Sequence, residues 1–600
     1  MNREFKQKLL CLTSSVLIGG TVLLNSSSVL AQSSADPNKV LRYAFPAAET
    51  GFDPVAVQDL YSAHVLNAIF ETLYTYDYLA LPLKLVPQTA AAMPEISADG
   101  KTYTIHLKKG IYFADDPVFK GKPRELTSYD YAYAIKRILD PNLRSPNNWM
   151  FDGKLQGLQP LIDQASKSGK FDYDQAVAGI ETPDRYTLIF RLNHPDQNFG
   201  YILAHAPSSA VAKEVIEKYK DKSGYVMGHP VGTGPYLLSK WTPASRIILK
   251  ANPKYRGFVW NFKASTAADQ KIVSAMKGKR MPQIGTIDIR VMEEAQSRIL
   301  AFQKDELDMF ALDGGLVQQA LDNGKLKPSL QKKGIGLSRI SDPSIDYYYW
   351  NMKNPVVGGY SKEKIALRRA MSMAFDNPQQ IKLIYNGDAK QLDYPIPFGI
   401  VGHDPNYKTS IPFSVKAANL LLDRYHYKVG ADGWRTLPNG KPLVIEINTM
   451  SDSRGQQQAE LWKKTLNPLK IQLVSKSMPF ADMLKAEKQC QTMFRPSAWY
   501  ADYPDGDNFM QLFYGKNIHA TNNSCFSLPE YDRLYEQSTK LPAGPARDAL
   551  YHKMARLLEV YSAVKVTNVR YRNVLTQPRV IGFKKSPMIA SEWMYIDIQR

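Results

Sequence analysis

The chain has 600 residues, of which 44% are hydrophobic and 38 are prolines. It is too long for a single compact core, so we expect two or three lobes. A formal net charge of +19 would suit a nucleic-acid ligand. However, the basic residues are scattered in ones and twos without a stacking-aromatic signature, so we expect a solvated basic surface and no nucleic-acid partner.

The start of the chain has the features of an export signal. Lys6 and Lys8 precede a long apolar run, and Ala31 supplies the small residue before a cleavage point. A membrane anchor is the competing interpretation, but serines and glycines interrupt the run. A lipid anchor would need a cysteine just after the run, whereas Cys11 lies at its start. We therefore predict a cleaved signal peptide over residues 1–31 and export to the periplasm without a lipid anchor.

Apolar residues alternate with polar ones in the first half of the chain, which predicts half-buried strands. The inward-facing residues are Tyr103, Ile105 and Leu107 in one strand and Tyr186, Leu188, Phe190 and Leu192 in another. Between these strands, LTSYDYAYAIKRILDP has the apolar stripe of a helix. We expect Ser128 to cap this helix and Pro141 to lie beyond its end.

In the second half of the chain, sequence patterns of helices and of strands alternate. A helix over SKEKIALRRAMSMAFD is predicted with Ser361 as its N-cap, and the next helix with Asn377-Pro378 as its cap. A strand around Ile445, a helix over RGQQQAELWKKTL and a strand at residues 471–474 then predict a β-α-β unit with parallel strands. We therefore expect mixed α/β lobes.

Cleavage of the signal peptide would leave two cysteines, Cys490 and Cys525. Two cysteines in an oxidising compartment often pair, so a disulfide between them is expected. Such a bridge would close a loop around the segment WYADYPDGDNF and stiffen it. The alternative, two unrelated buried thiols, stays open at this point.

The sequence lacks residues that the common motifs for metal binding and catalysis require. The nine histidines include no HExxH pair, and the glycines at Gly232 and Gly234 lack the Lys-Ser/Thr of a phosphate-binding loop. A calcium loop that began at Asp502 would need a glutamate at Phe513. A hydrolase with paired carboxylates stays open, because the separation of two carboxyl groups is not readable from sequence. We expect no metal site and no cofactor.

Several stretches together resemble one family, the extracytoplasmic solute-binding proteins of peptide ABC transporters (the dipeptide- and oligopeptide-binding type, family 5). They occur in the family's order across nearly all of the mature chain. The matching stretches are GFDPVAVQD, IFETLYTYD, SADGKTYTIHLKKGIYFAD, LTSYDYAYAIKRILDP, VGTGPYLLSKW, LKANPKYRG, IDIRVMEEAQSRILAFQKDELDMF, IALRRAMSMAFDNPQQIKLIYNG, WYADYPDGDNFMQLFYG and LPEYDRLY.

The resemblance implies a two-lobed periplasmic-binding-protein fold of the large cluster C type, with an extra subdomain in lobe one. Two hinge strands join the lobes, which close on the ligand. The implied division is lobe one with its inserted subdomain over 32–286, lobe two over 287–563, and a return to lobe one over 564–600.

The resemblance also implies a ligand-binding site around the segment WYADYPDGDNF. The position that matches Asp502 takes the α-ammonium group of a peptide, which needs a counter-charge and hydrogen-bond acceptors when it is buried. Trp499, Tyr500 and Tyr503 would exclude water from this ion pair, although each is equally compatible with a place in the core. Asp505 and Asp507 are interpreted as a turn and a helix cap.

The predicted function is therefore that of a non-enzymatic, monomeric component of an ABC importer. It would capture peptides and deliver them to the permease and ATPase complex. Two alternatives stay open: the same scaffold binding a nickel chelate, haem, an opine or a sugar, and an exported hydrolase or peptidoglycan-associated protein. The chain departs from the family in a longer segment at 258–285, and no basic residue is matched to a carboxylate-binding role.

Overall fold

A computed structural model describes residues 35–57, 59–312, 316–451 and 453–599 of the chain. The predicted signal peptide lies outside these residues. The strands are β1 (Asp36–Phe45), β2 (Tyr74–Tyr76), β3 (Leu85–Pro87), β4 (Glu95–Ile96), β5 (Thr102–His106), β6 (Ile180–Asp184), β7 (Thr187–Arg191), β8 (Tyr236–Thr242), β9 (Arg246–Ala251), β10 (Phe258–Val259), β11 (Arg280–Met281), β12 (Ile284–Val291), β13 (Met309–Leu312), β14 (Leu321–Asp322), β15 (Lys325–Leu326), β16 (Gly336–Ser341), β17 (Ser344–Trp350), β18 (Ala389–Gln391), β19 (Val444–Met450), β20 (Gln472–Met478), β21 (Phe494–Tyr500), β22 (Val564–Thr576), β23 (Val580–Ile581) and β24 (Asp597–Ile598).

Helices alternate with these strands, most densely in the second half of the chain. They are α1 (Leu60–Ile69), α2 (Ser128–Leu139), α3 (Gln159–Ser168), α4 (Phe199–Ile202), α5 (Lys213–Tyr219), α6 (Asp269–Met276), α7 (Ala295–Gln303), α8 (Val317–Ala320), α9 (Pro328–Lys332), α10 (Lys362–Ala374), α11 (Asn377–Tyr385), α12 (Val415–Arg424), α13 (Ser453–Leu466), α14 (Phe480–Lys488), α15 (Asp507–Met510), α16 (Pro529–Ser538) and α17 (Pro545–Tyr561).

Three larger sheets organise the chain. The first half forms a four-stranded sheet in the order β1-β12-β9-β8 and another in the order β4-β5-β7-β6. The second half forms an eight-stranded sheet along β13-β22-β17-β21-β19-β20, with β16 and β18 also paired to β22. Because each sheet carries its own buried apolar cluster, the molecule has separate cores on the two sides of a cleft.

The long strand β22 connects the cores of the two lobes. Val566 and Val569, near its start, pack in the core beneath the eight-stranded sheet. Val574, near its end, packs in the same cluster as residues of β1 and β12. The strand therefore passes from one lobe to the other, as a hinge strand would. The division of the chain at residues 286–287 and 563–564 stays a prediction.

The secondary structure that the apolar patterns predict is confirmed in its main elements. β19 and β20 are parallel neighbours joined by α13, which is the predicted β-α-β unit. β5 and β7 are antiparallel neighbours, and their inward residues Tyr103 and Phe190 are buried. Ser361 caps α10 by accepting a hydrogen bond from the backbone N–H of Lys364.

Two predicted helix caps are wrong by one residue. The N-cap of α2 is Thr127, whose N–H donates to Oδ2 of Asp130 at 2.7 Å. The Ser128 hydroxyl donates instead to the carbonyl of Asp184 at 2.6 Å, so it is not free to cap the helix. The cap of α11 is likewise Asp376, which accepts from the N–H of Gln379.

The longer segment at 258–285 folds into lobe one. It supplies β10, α6 and β11, and its Trp260 is fully buried with Met276 and Met281. The indole N–H of Trp260 donates to the carbonyl of Tyr595 at 3.0 Å. The segment is thus packed against the C-terminal part of the chain rather than extended from the surface.

Candidate ligand-binding site

Asp502 lies at the end of a strand that enters the cleft from lobe two. β21 is antiparallel to β17, with Ser344 opposite Tyr500 at the last paired position. The chain bends after Tyr500, and the N–H of Ala501 donates to the carbonyl of Pro343 at 2.8 Å. The sheet therefore fixes the position of the backbone two residues before Asp502 and places this carboxylate at the edge of the sheet.

Asn508 holds the Asp502 carboxylate in place. The N–H of Asp502 donates to Oδ1 of Asn508 at 3.0 Å, and Nδ2 of Asn508 donates to Oδ2 of Asp502 at 2.9 Å. The same Oδ1 accepts from the indole N–H of Trp499 at 2.9 Å. Because Asn508 is only 2% exposed, its side chain has little freedom and orients both neighbours.

Tyrosines from both lobes form a stacked wall beside Asp502. The rings of Tyr76 and Tyr201, both in lobe one, are stacked with centroids 6.2 Å apart. Tyr201 in turn stacks on Tyr503 of lobe two at 6.4 Å with an interplanar angle of 4°. Burial raises the pKa of Tyr76, and the charges of Tyr201 and then Asp502 raise it further. Contact between Tyr201 and Tyr503 brings the two lobes together.

His205 of lobe one lies close enough to Asp502 for their charges to interact. Burial raises the pKa of Asp502, and the charge of His205 and the hydrogen bond from Asn508 partly offset this rise. Burial likewise lowers the pKa of His205, against the opposing effect of Asp502. The ring of Trp149 lies 6.3 Å from that of His205. A positively charged partner in the closed cleft would therefore stabilise the ionised form of Asp502.

The two aromatic residues that end β21 have different surroundings. Trp499 packs against the apolar core of lobe two and is tied to Asp502 through Asn508. Tyr500 is 43% exposed, and its ring centroid lies 5.2 Å from the guanidinium carbon of Arg570. Successive side chains of a strand point to opposite faces, which accounts for this separation. The structure therefore joins Trp499 and Tyr503, but not Tyr500, to the surroundings of Asp502.

The other two aspartates of the segment have structural partners. Oδ1 of Asp505 accepts from the N–H of Asp507 at 3.0 Å, which forms the predicted turn at the start of α15. The N-cap of α15 is Gly506, so the interpretation of the two aspartates as its cap is wrong. Oδ2 of Asp505 pairs with Arg547 at 2.5 Å, and the Tyr551 hydroxyl donates to Oδ1. Oδ2 of Asp507 accepts from the Tyr503 hydroxyl at 2.7 Å. Asp505 thus fastens the segment to α17.

Cys490 and Cys525 are joined by a disulfide, with their Cα atoms 6.2 Å apart. Cys490 follows α14, and Cys525 precedes α16. The bridge closes a loop that includes β21 and the whole segment around Asp502. It therefore restrains the two ends of the segment, while Asn508 and Asp505 restrain its middle.

Sequence reasoning missed most of the partners of Asp502. Asn508 lies six residues after Asp502 in the same segment, which is the one local signal that could connect the two residues. Tyr76, Tyr201 and His205 lie hundreds of residues before Asp502, and nothing in their local pattern links them to it. Only the folded chain brings these groups together.

Two kinds of feature do not occur in the described part of the chain. It contains no group of three or more histidine, cysteine or carboxylate side chains that could hold a metal ion. None of its helices combines the length and the apolar character that are needed to cross a lipid bilayer.

A cleft that buries a carboxylate between two α/β lobes is the arrangement of a solute-binding protein. Residues 84–520 match the family described as bacterial extracellular solute-binding proteins, family 5 Middle, and the chain belongs to that family. Members of the family are binding proteins rather than enzymes, and they act outside the cytoplasm.

Individual relatives are similar over nearly their whole length. The periplasmic oligopeptide-binding protein OppA of Escherichia coli is 24% identical, over 89% of this chain and 88% of its own. The heme-binding protein A of Haemophilus influenzae is 22% identical, over 94% and 93%. Among solved structures, the periplasmic binding protein DppA from Helicobacter pylori, in complex with the peptide STSA, has a TM-score of 0.69 at 21% identity, covering 94% of this chain and 98% of that one. The predicted two-lobed α/β fold is confirmed.

Proposed function

We propose that this protein is an exported, non-enzymatic component of an ABC importer that captures peptides between its lobes and delivers them to the membrane permease and ATPase complex. The oligopeptide-binding relative from Escherichia coli and the peptide-bound structure from Helicobacter pylori support a peptide as the ligand. The carboxylate of Asp502, oriented by Asn508 and enclosed by the opposite lobe, is the observation that carries the proposal.

The α-ammonium group of a peptide complements this site. Burial disfavours the ionised form of Asp502 and raises its pKa, so a cation that binds beside the carboxylate recovers part of that free energy. Tyr76, Tyr201 and Tyr503 enclose the pair and exclude water. Trp499 supports the site through its hydrogen bond to Asn508. Tyr500 is exposed on the other face of β21, so its contact with a ligand stays a prediction.

Closure follows from binding in this proposal. In the closed form Tyr201 stacks on Tyr503, and Nδ2 of Asn198 approaches Oδ2 of Asp507 at 3.5 Å. A ligand that touches both lobes binds this form better than the open one and shifts the population toward it. The transporter then recognises the closed form.

The alternative of an exported hydrolase is testable at one pair of residues. The charges of His205 and Asp502 interact, and a carboxylate beside an imidazole orients a general base in many hydrolases. The two come from opposite lobes and meet only when the cleft is closed. Incubating the mature protein with a peptide pool decides between the candidates: turnover that Asp502→Asn abolishes would establish the hydrolase and contradict the ammonium anchor.

Blocking the peptide's amino terminus tests the proposed function directly. Native mass spectrometry of the purified mature protein is expected to find co-purifying peptides of mixed sequence, and a single non-peptide mass such as haem would overturn the proposal. In calorimetry, N-acetylation of a bound peptide is expected to weaken its affinity about a hundredfold in the wild type, because Asp502 then stays buried and unpaired. In Asp502→Asn the acetylated and free peptides should bind alike.

A further inference from the structure

The outer edge of the eight-stranded sheet is assembled around one buried arginine. Arg435 is 4% exposed, and its guanidinium donates to the carbonyl of Leu469 at 2.9 Å and to Oδ1 of Asn419 at 2.9 Å. The same guanidinium pairs with Asp423 at 2.6 Å, and the N–H of Arg435 donates to the carbonyl of Lys470 at 2.7 Å. These contacts join α12, the turn that follows α13 and the loop before β19 into one continuous surface beside β20.

Five exposed lysines lie on this surface. Two of them are in the loop before β19, where the N–H of Thr436 donates to the carbonyl of Lys428 at 2.8 Å and that of Leu437 to the carbonyl of Lys441 at 2.8 Å. The last turn of α13 supplies two more, and the fifth comes just before β20. In the part of the chain that the structure describes, none of the five is ion-paired with a carboxylate. Together they define the lysine surface, which consists of Lys428, Lys441, Lys463, Lys464 and Lys470.

Nearby carboxylates do not neutralise the lysine surface. Asp423 is already paired with Arg435. Asp432 accepts from the N–H of Trp434 at 3.1 Å in an exposed turn, and Glu460 is exposed one turn before the lysines of α13. Two carboxylates, Asp432 and Glu460, therefore stand against five lysines, so the lysine surface carries a net positive charge.

Two apolar side chains are exposed among these charges. Leu420 on α12 is 60% exposed, and its neighbour Asn419 donates to the carbonyl of Pro468 at 3.3 Å. Val429, next to Lys428, is 50% exposed. Single exposed apolar residues are common on soluble proteins. Apolar residues set among lysines are instead the composition of a surface that lies in the headgroup layer of a membrane.

We propose that the lysine surface docks on the anionic phospholipid headgroups of a membrane. The lysines face the phosphates, and Leu420 and Val429 enter the boundary between the headgroups and the acyl chains. The proposal rests on the proposed function, because export and delivery to a permease bring the protein to a membrane. The lysine surface shares no residue with the surroundings of Asp502, and β19 separates β20 from β21 in the sheet. Docking therefore leaves the cleft free to bind a peptide.

Binding of the full mature protein to lipid vesicles tests this inference. One set of vesicles contains phosphatidylcholine with about one third phosphatidylglycerol, and the other contains phosphatidylcholine alone. Co-sedimentation at low and at high salt measures the apparent affinity, and calorimetry with a peptide is run in parallel. The test variant combines Lys428→Gln, Lys441→Gln, Lys463→Gln and Lys470→Gln. The matched control variant changes four exposed lysines of lobe one and combines Lys122→Gln, Lys167→Gln, Lys222→Gln and Lys271→Gln.

The wild type should bind the anionic vesicles in preference to the neutral ones, and high salt should abolish this binding because it screens exposed charges. The test variant should bind the anionic vesicles at least about a hundredfold more weakly, since each lysine near an anionic surface contributes roughly fivefold. The control variant has the same net charge and should lose less than about fivefold. Leu420→Ser should lose about tenfold through reduced apolar burial, whereas Leu383→Ser, at a comparably exposed position on α11, should lose nothing.

Equal binding of the test and control variants to the anionic vesicles would overturn the inference, because net charge alone would then account for the binding. Failure of the wild type to distinguish anionic from neutral vesicles would overturn it as well. If that failure accompanies slower peptide uptake by the test variant in proteoliposomes of neutral lipid, the lysine surface contacts an acidic face of the transporter instead.

The peptide measurement separates this inference from the proposed function. Peptide affinity should be the same in the wild type and in all of these variants, since the lysine surface lies outside the Asp502 site. Loss of the vesicle preference with peptide binding intact would remove only the docking surface. Failure of peptides to bind the wild type would instead count against the proposed function, and the vesicle measurement would still decide the docking surface.

Discussion

Asp502 and Asn508 exchange two hydrogen bonds: the N–H of Asp502 donates to Oδ1 of Asn508, and Nδ2 of Asn508 donates to Oδ2 of Asp502. The carboxylate proposed to hold the ligand is therefore positioned by a neighbour six residues along the chain and not by the sheet alone. The oxygen of Asn508 also accepts from Trp499, so one buried amide connects the strand end, the anchor and the start of α15.

Asn508→Ala should weaken the affinity for an unblocked peptide about tenfold. Asp502 loses the donor that orients it, and Trp499 loses its acceptor. The same loss should lower the free energy of unfolding by about 1–3 kcal/mol, as expected when buried polar groups lose their partners. Calorimetry and urea unfolding measure the two effects. Asn439→Ala, in an exposed turn, is the matched control, and unchanged affinity in Asn508→Ala would contradict the positioning role.

Peptide affinity should fall as the pH is lowered from neutral. The raised pKa of Asp502 means that its charge is present above that pKa and is lost as the pH falls through it. An ordinary aspartate titrates near about 3.9, so the loss begins at a higher pH than that. His205, whose pKa burial lowers, stays neutral until the pH is below about 6.5 and then competes with the ammonium for Asp502.

Both titrations act in the same direction, and variants separate them. In calorimetry at stepped pH, Asp502→Asn should show weak binding with little pH dependence. His205→Gln should keep the acid limb that Asp502 produces and lose the part due to the imidazolium. Affinity that rises on acidification of the wild type would be inconsistent with an anionic anchor.

Asp53 should be required for the stability of lobe one rather than for binding. Its two carboxylate oxygens each accept from Arg137 at 2.9 Å, and both residues are at most 2% exposed. Asp53→Ala leaves a buried guanidinium unpaired and should lower the unfolding free energy by about 3–5 kcal/mol. The exposed Asp163→Ala is the control. Unfolding in urea measures the difference, and equal stability of the two variants would show that the pair contributes nothing.

The Asp53–Arg137 ion pair also shows which features of the fold a sequence pattern can predict. GFDPVAVQD was readable as a motif, and its resemblance to relatives placed it in lobe one. Its role as a buried ion pair was not readable, because Arg137 lies 84 positions away. Alternation and apolar stripes predicted β5, β7 and the β19-α13-β20 unit because those patterns are local. The error at Ser128 has a tertiary cause, since Asp184, 56 residues later in the chain, takes its hydroxyl.

The residues of the candidate site likewise fall into those that a local motif predicts and those that depend on contact between the lobes. Asp502 was found through a motif and Trp499 through its neighbourhood, but the wall of Tyr76 and Tyr201 depends on how lobe one meets lobe two. That meeting is a property of the closed molecule. No pattern within either lobe specifies it, so His205 had no sequence signal that would connect it with Asp502.

Removing the disulfide should affect stability more than affinity. The bridge between Cys490 and Cys525 restrains the ends of the Asp502 segment, whereas Asn508 and the Asp505–Arg547 pair restrain its middle. In the loop-entropy account a bridge of this span contributes roughly 3–4 kcal/mol, so Cys490→Ser/Cys525→Ser should unfold at a lower urea concentration. Peptide affinity should change far less than in Asn508→Ala, because the local hydrogen bonds survive. Thiol labelling of the denatured, unreduced mature protein should find no reactive cysteine, and labelling of both Cys490 and Cys525 would show that the bridge is absent from the protein.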